Sequence, residues 1–243
     1  MKRKIQQISL AILGTILLIL MLGVTYLQAQ AYPAQGRANK ISQTATQTES
    51  NYRFFQGKKG QKTVLLYPGA LVESASYAYI AQQLQEAGYT VYLLQAPLNL
   101  PILDSQAALH LIQEEKIPSQ DVILIGHSLG GVVAASNAQT LLKEGKQIAG
   151  LVFLASYPSG NTDLSQATFP ILSITADHDQ VMKRDNYNNS KKQLPTNTSY
   201  AVIKGGNHSG FGLYGQQKGD GQANISTLQQ QKEIVAILKN FLK

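Results

Sequence analysis

The sequence predicts an α/β domain in which helices cover both faces of a mostly parallel sheet. Short apolar runs of strand length, such as Thr63–Tyr67 and Val122–Ile125, alternate with longer segments that carry apolar residues at helical spacing. The short runs lack polar alternation, as expected of strands that are buried on both faces. With 44% hydrophobic residues, the 243-residue chain can form a sizeable core, and its length indicates one folded domain with an appendage.

The predicted elements alternate regularly along the domain. The predicted strands are Thr63–Tyr67, Tyr89–Gln95, Val122–Ile125, Gly150–Ala155, Pro170–Thr175 and Tyr200–Ile203. The predicted helices are Ala75–Ala87, Asp104–Glu115, Leu129–Lys143 and a closing helix that runs to Leu242 from Ser226, its N-cap. Such sheets bind ligands at the carboxyl ends of their strands, and several residues suited to chemistry follow those ends here.

The N-terminal segment, residues 1–27, is predicted to be a membrane anchor. Three basic residues at positions 2–4 precede an apolar stretch, Ile8–Leu27, of about the 20 residues that cross a bilayer. The basic residues favour a cytoplasmic N-terminus, which places the rest of the chain on the extracellular side. A cleaved secretory signal is one alternative, since Ala29-Gln30-Ala31 fits a cleavage site. A buried core helix is another.

The following segment, residues 28–50, is rich in Gln, Ala, Thr and Ser, and Ile41 is nearly its only large apolar residue. Such a composition buries too little surface to offset the entropy of ordering. We therefore predict a flexible linker, with a short helix packed on the domain as the alternative. The folded domain then covers residues 51–243.

Charge and cysteine content exclude several classes. The net charge is +7, and the three basic residues at positions 2–4 leave only +4 for the rest of the chain. This remainder is spread out and forms no basic stripe interleaved with aromatic residues, so we expect no nucleic-acid partner. The absence of cysteine excludes disulfides and cysteine-based zinc sites.

The most informative motif is G-x-S-x-G at Gly126–Gly130, between the predicted strand Val122–Ile125 and the predicted helix Leu129–Lys143. A strand, this pentapeptide and a helix together form a nucleophile elbow, a sharp turn that exposes a serine hydroxyl at the tip of the sheet. Ser128 is therefore the predicted nucleophile. The alternative is a glycine-rich helix start with Ser128 as an N-capping residue.

A serine nucleophile needs a base, and the chain offers four histidines: His110, His127, His178 and His208. His208 lies in the loop Gly205–Gly210, directly after the last predicted strand, where an imidazole can reach over the sheet edge. We predict it to be the general base. His110 is predicted to lie within a helix, and His127 is predicted to point away from the serine proton. His178 is predicted to be an ordinary loop residue.

The histidine needs an orienting acid, which for this motif lies between the serine and the histidine in the sequence. Asp177 and Asp179 both follow the predicted strand Pro170–Thr175, and the residues alone leave both open. A buried carboxylate there would hold the imidazole tautomer and stabilise the imidazolium.

An oxyanion hole requires two backbone N–H donors. Leu129, which follows the nucleophile, supplies one candidate. Ala70 supplies the other, in the loop Pro68–Leu71 that we name the oxyanion loop. Glu73 follows this loop and is a candidate pocket residue, with an ordinary surface position as the alternative.

From about Thr63 onward the chain resembles the compact α/β-hydrolases related to the dienelactone hydrolases. The resemblance rests on the motifs at Tyr67–Val72, Ala96–Leu100, Gly126–Gly131 and Gly205–Gly215. It implies the α/β-hydrolase fold, and its usual G-x-x-D motif, laid on residues 176–179, selects Asp179 with Ala176 in place of the glycine. Dienelactone hydrolases use a cysteine nucleophile, which this chain lacks, so their lactone activity does not transfer.

These features predict a serine hydrolase that cleaves carboxylic esters without a metal or cofactor, through Ser128, His208 and Asp179. Only about 14 residues, Ser156–Phe169, separate two predicted strands where many lipases insert a lid. We therefore expect a minimal lid and a small or exposed substrate. The rival hypothesis is a non-catalytic envelope protein that keeps the fold to bind a glycan or a partner.

Overall fold

A computed structural model describes residues 2–242, and the chain divides after Ala31 into two compact units. The first unit contains helix α1 (Lys2–Ala29). Its segment Ile12–Ala29 has a mean hydropathy of 2.1 and no buried residue, so it is long and apolar enough to cross a membrane. A signal sequence has the same properties. The predicted apolar N-terminal helix is therefore present.

The second unit is built on one sheet. Its strands in the described chain are β1 (Gln47–Thr48), β2 (Tyr52–Phe55), β3 (Thr63–Tyr67), β4 (Thr90–Leu94), β5 (Val122–His127), β6 (Gly150–Leu154), β7 (Ile171–Ala176) and β8 (Ser199–Ile203). They lie in the order β1-β2-β4-β3-β5-β6-β7-β8. The strands from β3 to β8 pair in parallel, whereas β1 and β2 add an antiparallel edge that the sequence analysis missed.

Helices cover both faces of the sheet. They are α2 (Arg37–Ser42), α3 (Ala78–Glu86), α4 (Ala107–Glu114), α5 (Leu129–Lys143), α6 (Arg184–Ser190) and α7 (Thr227–Phe241). Side chains of α3 and α7 pack on one face and those of α4 and α5 on the other. Strand β3 serves both faces, since Val64 and Leu66 point into the first core and Leu65 and Tyr67 into the second. The predicted α/β class is confirmed.

The predicted bounds of α5 and α7 agree with the structure, whereas α3 and α4 begin three residues later than predicted. Helix α5 has the predicted bounds, and Ser226 caps α7 as predicted, because its Oγ accepts the N–H of Gln229 at 3.2 Å. Helix α6 was not predicted, because its sequence Arg-Asp-Asn-Tyr-Asn-Asn-Ser carries almost no apolar periodicity.

The prediction of a flexible linker over residues 28–50 is wrong from Tyr32 onward, and the packed-helix alternative describes this stretch. Helix α2 buries Ala38 and Ile41 against the domain, and Ala34 is also buried. The N–H of Gln35 donates to the carbonyl of Leu213 at 2.8 Å, and β1 pairs with β2. An alanine side chain can be buried completely at little cost in side-chain entropy. A segment that is poor in large apolar residues can therefore still be ordered here.

Candidate active site

Ser128 occupies a strained turn between β5 and α5. Its φ and ψ are 50° and −122°, a conformation that residues with a Cβ rarely adopt. Its N–H donates to the Leu154 carbonyl at 3.0 Å, and its own carbonyl accepts the N–H of Gly131 at 3.0 Å and the hydroxyl of Ser156 at 2.6 Å. These bonds maintain the turn and leave the side chain at the carboxyl edge of the sheet.

The glycines of the motif are required by close backbone contacts. A Cβ on Gly126 would collide with the backbone of Gly130, and a Cβ on Gly130 would collide with the carbonyl of Pro68. The start of α5 therefore lies directly against the oxyanion loop. Gly126 and Gly130 therefore lack room for a Cβ, and their packing brings together two loops that are about 60 residues apart in the sequence.

His208 and Asp179 form a buried pair at the same edge. His208 Nδ1 lies 2.8 Å from Asp179 Oδ2, and the residues are 1% and 3% exposed. Asp179 Oδ1 accepts the N–H groups of Val181 at 2.9 Å and Met182 at 2.8 Å. Because the carboxylate is an acceptor, Nδ1 carries the proton and Nε2 is left with its lone pair. His208 Nε2 is buried and has no hydrogen-bond partner among the described residues.

Asp177, the alternative acid, lies elsewhere. Its carboxylate accepts the N–H of Gly205 at 2.7 Å and lies 3.7 Å from Lys204 Nζ. The side chain is about one-third exposed, and it makes no contact with His208. The structure therefore brings Asp179, and not Asp177, to the histidine.

Ser128 and His208 line the same open cavity, which has a volume of about 340 Å³. Leu129, Tyr157, Met182 and Asn186 also contribute to its wall. Residues 155–170, between β6 and β7, contain no helix, in agreement with the short connection expected there. Asn186 belongs to α6, so this unpredicted helix forms part of the cavity wall.

Both candidate oxyanion donors have free N–H groups. Leu129 is the first residue of α5, so its N–H has no acceptor within the helix. The N–H of Ala70 makes no hydrogen bond in the described part of the chain, whereas its neighbours Gly69 and Leu71 donate to Tyr77 Oη and the Asn99 carbonyl. Both N–H groups are therefore without an acceptor among the described residues, and Leu129 also lines the cavity that contains Ser128.

Glu73 does not line this cavity. Its carboxylate accepts the N–H of Ala34 at 3.0 Å, and its own N–H donates to the Tyr32 carbonyl at 3.0 Å. The position suggested for it in the pocket is therefore wrong. Glu73 instead fastens the segment before α2 to the domain.

Asp220 is a site residue that the sequence analysis missed. Its carboxylate accepts the N–H and hydroxyl of Ser209 at 2.7 and 2.6 Å, and the N–H groups of Gly221, His208 and Gln180 at 2.8, 3.3 and 3.3 Å. It thus ties the loop that carries His208 to the loop that carries Asp179. No local motif singles it out, because its role depends on the folding of the loops that brings Ser209 and Gln180 to the same carboxylate.

Gln230 of α7 makes hydrogen bonds to the loop that carries His208. Its side chain is fully buried, and it accepts the N–H of Asn207 at 3.0 Å while donating to the Asn207 carbonyl at 2.8 Å. A paired contact of this kind holds the backbone immediately before His208. Within residues 2–242 no group of three or more His, Asp or Glu side chains is arranged to hold a metal ion.

Comparison with known proteins identifies the family. Residues 63–232 match the model described as "Alpha/beta hydrolase family". The match covers well over half of the sequence, and the chain therefore belongs to the alpha/beta hydrolase family. No relative is found among curated proteins.

Solved structures of similar shape include three named hydrolases. A monoacylglycerol lipase from Paleococcus ferrophilus has a TM-score of 0.60 and 15% identity, over 80% of this chain and 100% of its own. Esterase PE8 has a TM-score of 0.59 and 13% identity over 80% and 100%. A dienelactone hydrolase from Anabaena variabilis has a TM-score of 0.57 and 16% identity over 78% and 89%. At these identities the likeness shows a shared fold.

Proposed function

We propose that this protein is a serine hydrolase that cleaves carboxylic esters of small or exposed substrates. The observation that carries the proposal is the convergence of a strained Ser128 and the buried His208–Asp179 pair on one cavity. The names of two similar structures, a monoacylglycerol lipase and an esterase, are consistent with this proposal.

In the proposed acylation step, Ser128 Oγ attacks the ester carbonyl carbon while His208 Nε2 takes its proton. The negative charge that develops on the carbonyl oxygen is stabilised by the N–H groups of Ala70 and Leu129. Asp179 stabilises the imidazolium through Nδ1–H. The tetrahedral intermediate then collapses, and the departing alcohol receives the proton from Nε2.

Deacylation repeats these steps with water. His208 Nε2 removes a proton from the water that attacks the acyl-enzyme, and returns it to Ser128 Oγ as the carboxylic acid leaves. No step in this scheme requires a metal or a cofactor.

We further propose that α1 anchors the protein in the cell membrane as a single span, with the hydrolase domain outside the cytoplasm. The apolar segment Ile12–Ala29 and the basic residues before it support this orientation. Cleavage after Ala29-Gln30-Ala31 would instead release the same domain as a secreted enzyme.

The proposal is tested with the full-length protein in detergent. We expect a fluorophosphonate probe to label Ser128, and p-nitrophenyl acetate and butyrate to be hydrolysed. A long acyl chain fits the small cavity poorly, so p-nitrophenyl palmitate should react with a kcat/KM lower by roughly 10-fold or more.

A folded protein that the probe leaves unlabelled would favour the non-catalytic binding role. A preference for emulsified long-chain triglycerides over short esters would contradict the substrate class while leaving the nucleophile assignment standing.

We expect Asp220→Asn to destabilise the loop that carries His208. An amide cannot replace a carboxylate as an acceptor for all the donors around Asp220, and hydrogen bonds to charged groups contribute about 1.5–3 kcal/mol each. We expect the free energy of unfolding to fall by about 2–3 kcal/mol and kcat to fall by about 10-fold or more through misplacement of the imidazole.

Asp163→Asn is the matched control, because Asp163 is an exposed loop residue whose carboxylate accepts the nearby N–H of Ser165 at 2.9 Å. Thermal unfolding and ester kinetics measure the two effects. Equal behaviour of the two variants would contradict a supporting role for Asp220.

A further inference from the structure

We propose that Tyr77 and His127 form a buried positioning pair that holds the oxyanion loop and the base in place around Ser128. This inference rests on the proposed hydrolase function. It assigns a role to two residues that do not line the cavity.

Tyr77 connects directly to the oxyanion loop. It ends a short 3-10 helix, Ser74–Tyr77, and is fully buried. Its hydroxyl oxygen accepts the N–H of Gly69 at 2.9 Å and lies 2.7 Å from His127 Nδ1. Gly69 immediately precedes Ala70, the proposed donor, so the orientation of the Ala70 peptide depends on this contact.

The direction of the hydrogen bonds follows from the number of protons. The Gly69 N–H can only donate, and the single Tyr77 hydroxyl proton then has His127 Nδ1 as its acceptor. The opposite arrangement would leave two buried groups unpaired, the Tyr77 O–H and the His127 Nε2 lone pair, whereas this one leaves only the Nε2–H without a hydrogen-bond partner among the described residues. His127 is thereby a neutral imidazole with its proton on Nε2.

The surroundings of His127 favour the same state. Burial lowers the pKa of His127 well below its ordinary value, and the neighbouring His208 lowers it further, while a backbone interaction with His208 acts in the opposite direction. A neutral ring beside the base avoids a second positive charge when His208 becomes an imidazolium.

His127 also contacts the base itself. Its ring centroid lies 4.6 Å from that of His208, and it stacks on Phe211 at 5.6 Å with an interplanar angle of 16°. His127 directly precedes Ser128 in the chain. One side chain thus joins the oxyanion loop, through Tyr77, to the nucleophile and to the base.

Tyr67 provides a matched control for the loss of a buried tyrosine hydroxyl. It is as buried as Tyr77, and its hydroxyl likewise makes two hydrogen bonds, with the Ala108 N–H at 2.8 Å and Asn137 Oδ1 at 3.1 Å. Its side chain packs in the core on the opposite face of the sheet. Tyr67→Phe therefore reproduces the chemical change without touching the pair.

The first test compares these two variants in ester hydrolysis. We expect Tyr77→Phe to lower kcat by about 10- to 100-fold, since a displaced oxyanion donor or base acts on the transition state. KM should change by less than about 3-fold, as for an interaction made in the transition state. Tyr67→Phe should keep kcat within about 2-fold at a similar loss of thermal stability.

The second test uses two substitutions of His127. The Oδ1 of asparagine can take the place of Nδ1 and accept the Tyr77 proton, whereas leucine cannot. We expect His127→Asn to retain at least about 5-fold more activity than His127→Leu. The double variant Tyr77→Phe/His127→Leu should be no slower than the slower single variant, because the two residues act as one unit.

A spectroscopic experiment tests this inference independently of the proposed function. In ¹⁵N NMR of the imidazole rings, His127 should be protonated at Nε2 and unprotonated at Nδ1. The His208 Nδ1–H signal should shift in Tyr77→Phe and remain in place in Tyr67→Phe. This experiment requires no turnover, so it decides the pairing even if the wild-type protein hydrolyses no ester.

Three outcomes would overturn the inference: a His127 ring protonated at Nδ1, equal kinetic and spectral effects of the two tyrosine substitutions, or additive losses in the double variant. Loss of folding in Tyr77→Phe would leave the comparison of His127→Asn with His127→Leu to decide it.

Discussion

Ser128→Ala is expected to reduce kcat for short p-nitrophenyl esters by about 10⁵- to 10⁶-fold, the loss typical of removing the nucleophile from a serine hydrolase. Alanine also carries a Cβ, so the strained backbone at φ 50° is equally strained in the variant. The substitution therefore tests the hydroxyl group alone, and the melting temperature should stay within about 2 °C.

Ser136→Ala is the control, because Ser136 is exposed on α5, eight positions beyond the elbow. It should keep full activity and full labelling by a fluorophosphonate. Turnover that survives in Ser128→Ala at more than about 1% of the wild-type rate would exclude Ser128 as the nucleophile.

Asp179→Asn is expected to lower kcat by about 10³- to 10⁴-fold, and the contacts of Asp179 explain why the loss should be so large. Its Oδ1 accepts two backbone N–H groups, from Val181 and Met182. In the asparagine variant the amide oxygen must keep that place, so the amide N–H₂ faces His208 Nδ1. The imidazole is then driven to the tautomer with its proton on Nε2, which cannot accept the serine proton.

Asp177→Asn makes the same change two residues away and provides the control. The Asp177 carboxylate is partly exposed and contacts Gly205 and Lys204, so we expect kcat within about 3-fold of the wild type. Steady-state kinetics on p-nitrophenyl acetate measure both variants. A large loss in Asp177→Asn with little loss in Asp179→Asn would reverse the assignment of the acid.

Much of this architecture is readable from local sequence patterns. The apolar runs of β3 and β5 are continuous because both faces of these strands are buried, and the turn after β5 needs glycine because backbones meet there. Such signals depend on a residue and its near neighbours. They predicted the alternation of strands and helices, the position of Ser128 and the closing helix with its cap.

The less regular elements escaped prediction for a physical reason. Strand β2 is antiparallel and only four residues long, and α6 has a polar sequence in which Tyr187 contacts Ser173 of β7 and Tyr157. Residues 32–50 contain few large apolar side chains, yet buried residues such as Ala38 and Ile41 order them against the domain. In each case the stabilising contacts come from distant parts of the chain.

Local sequence patterns were enough to predict a serine on an elbow between a strand and a helix, with a histidine in the loop after the last strand. The choice between Asp177 and Asp179 was decided by the tertiary structure, because both lie in one turn and the convergence of two loops decides which reaches His208. Asp220 and the Tyr77–His127 pair emerged in the same way. Tyr77 and His127 are 50 residues apart and Asp220 and Gln180 are 40 apart, so folding alone brings them within hydrogen-bond distance.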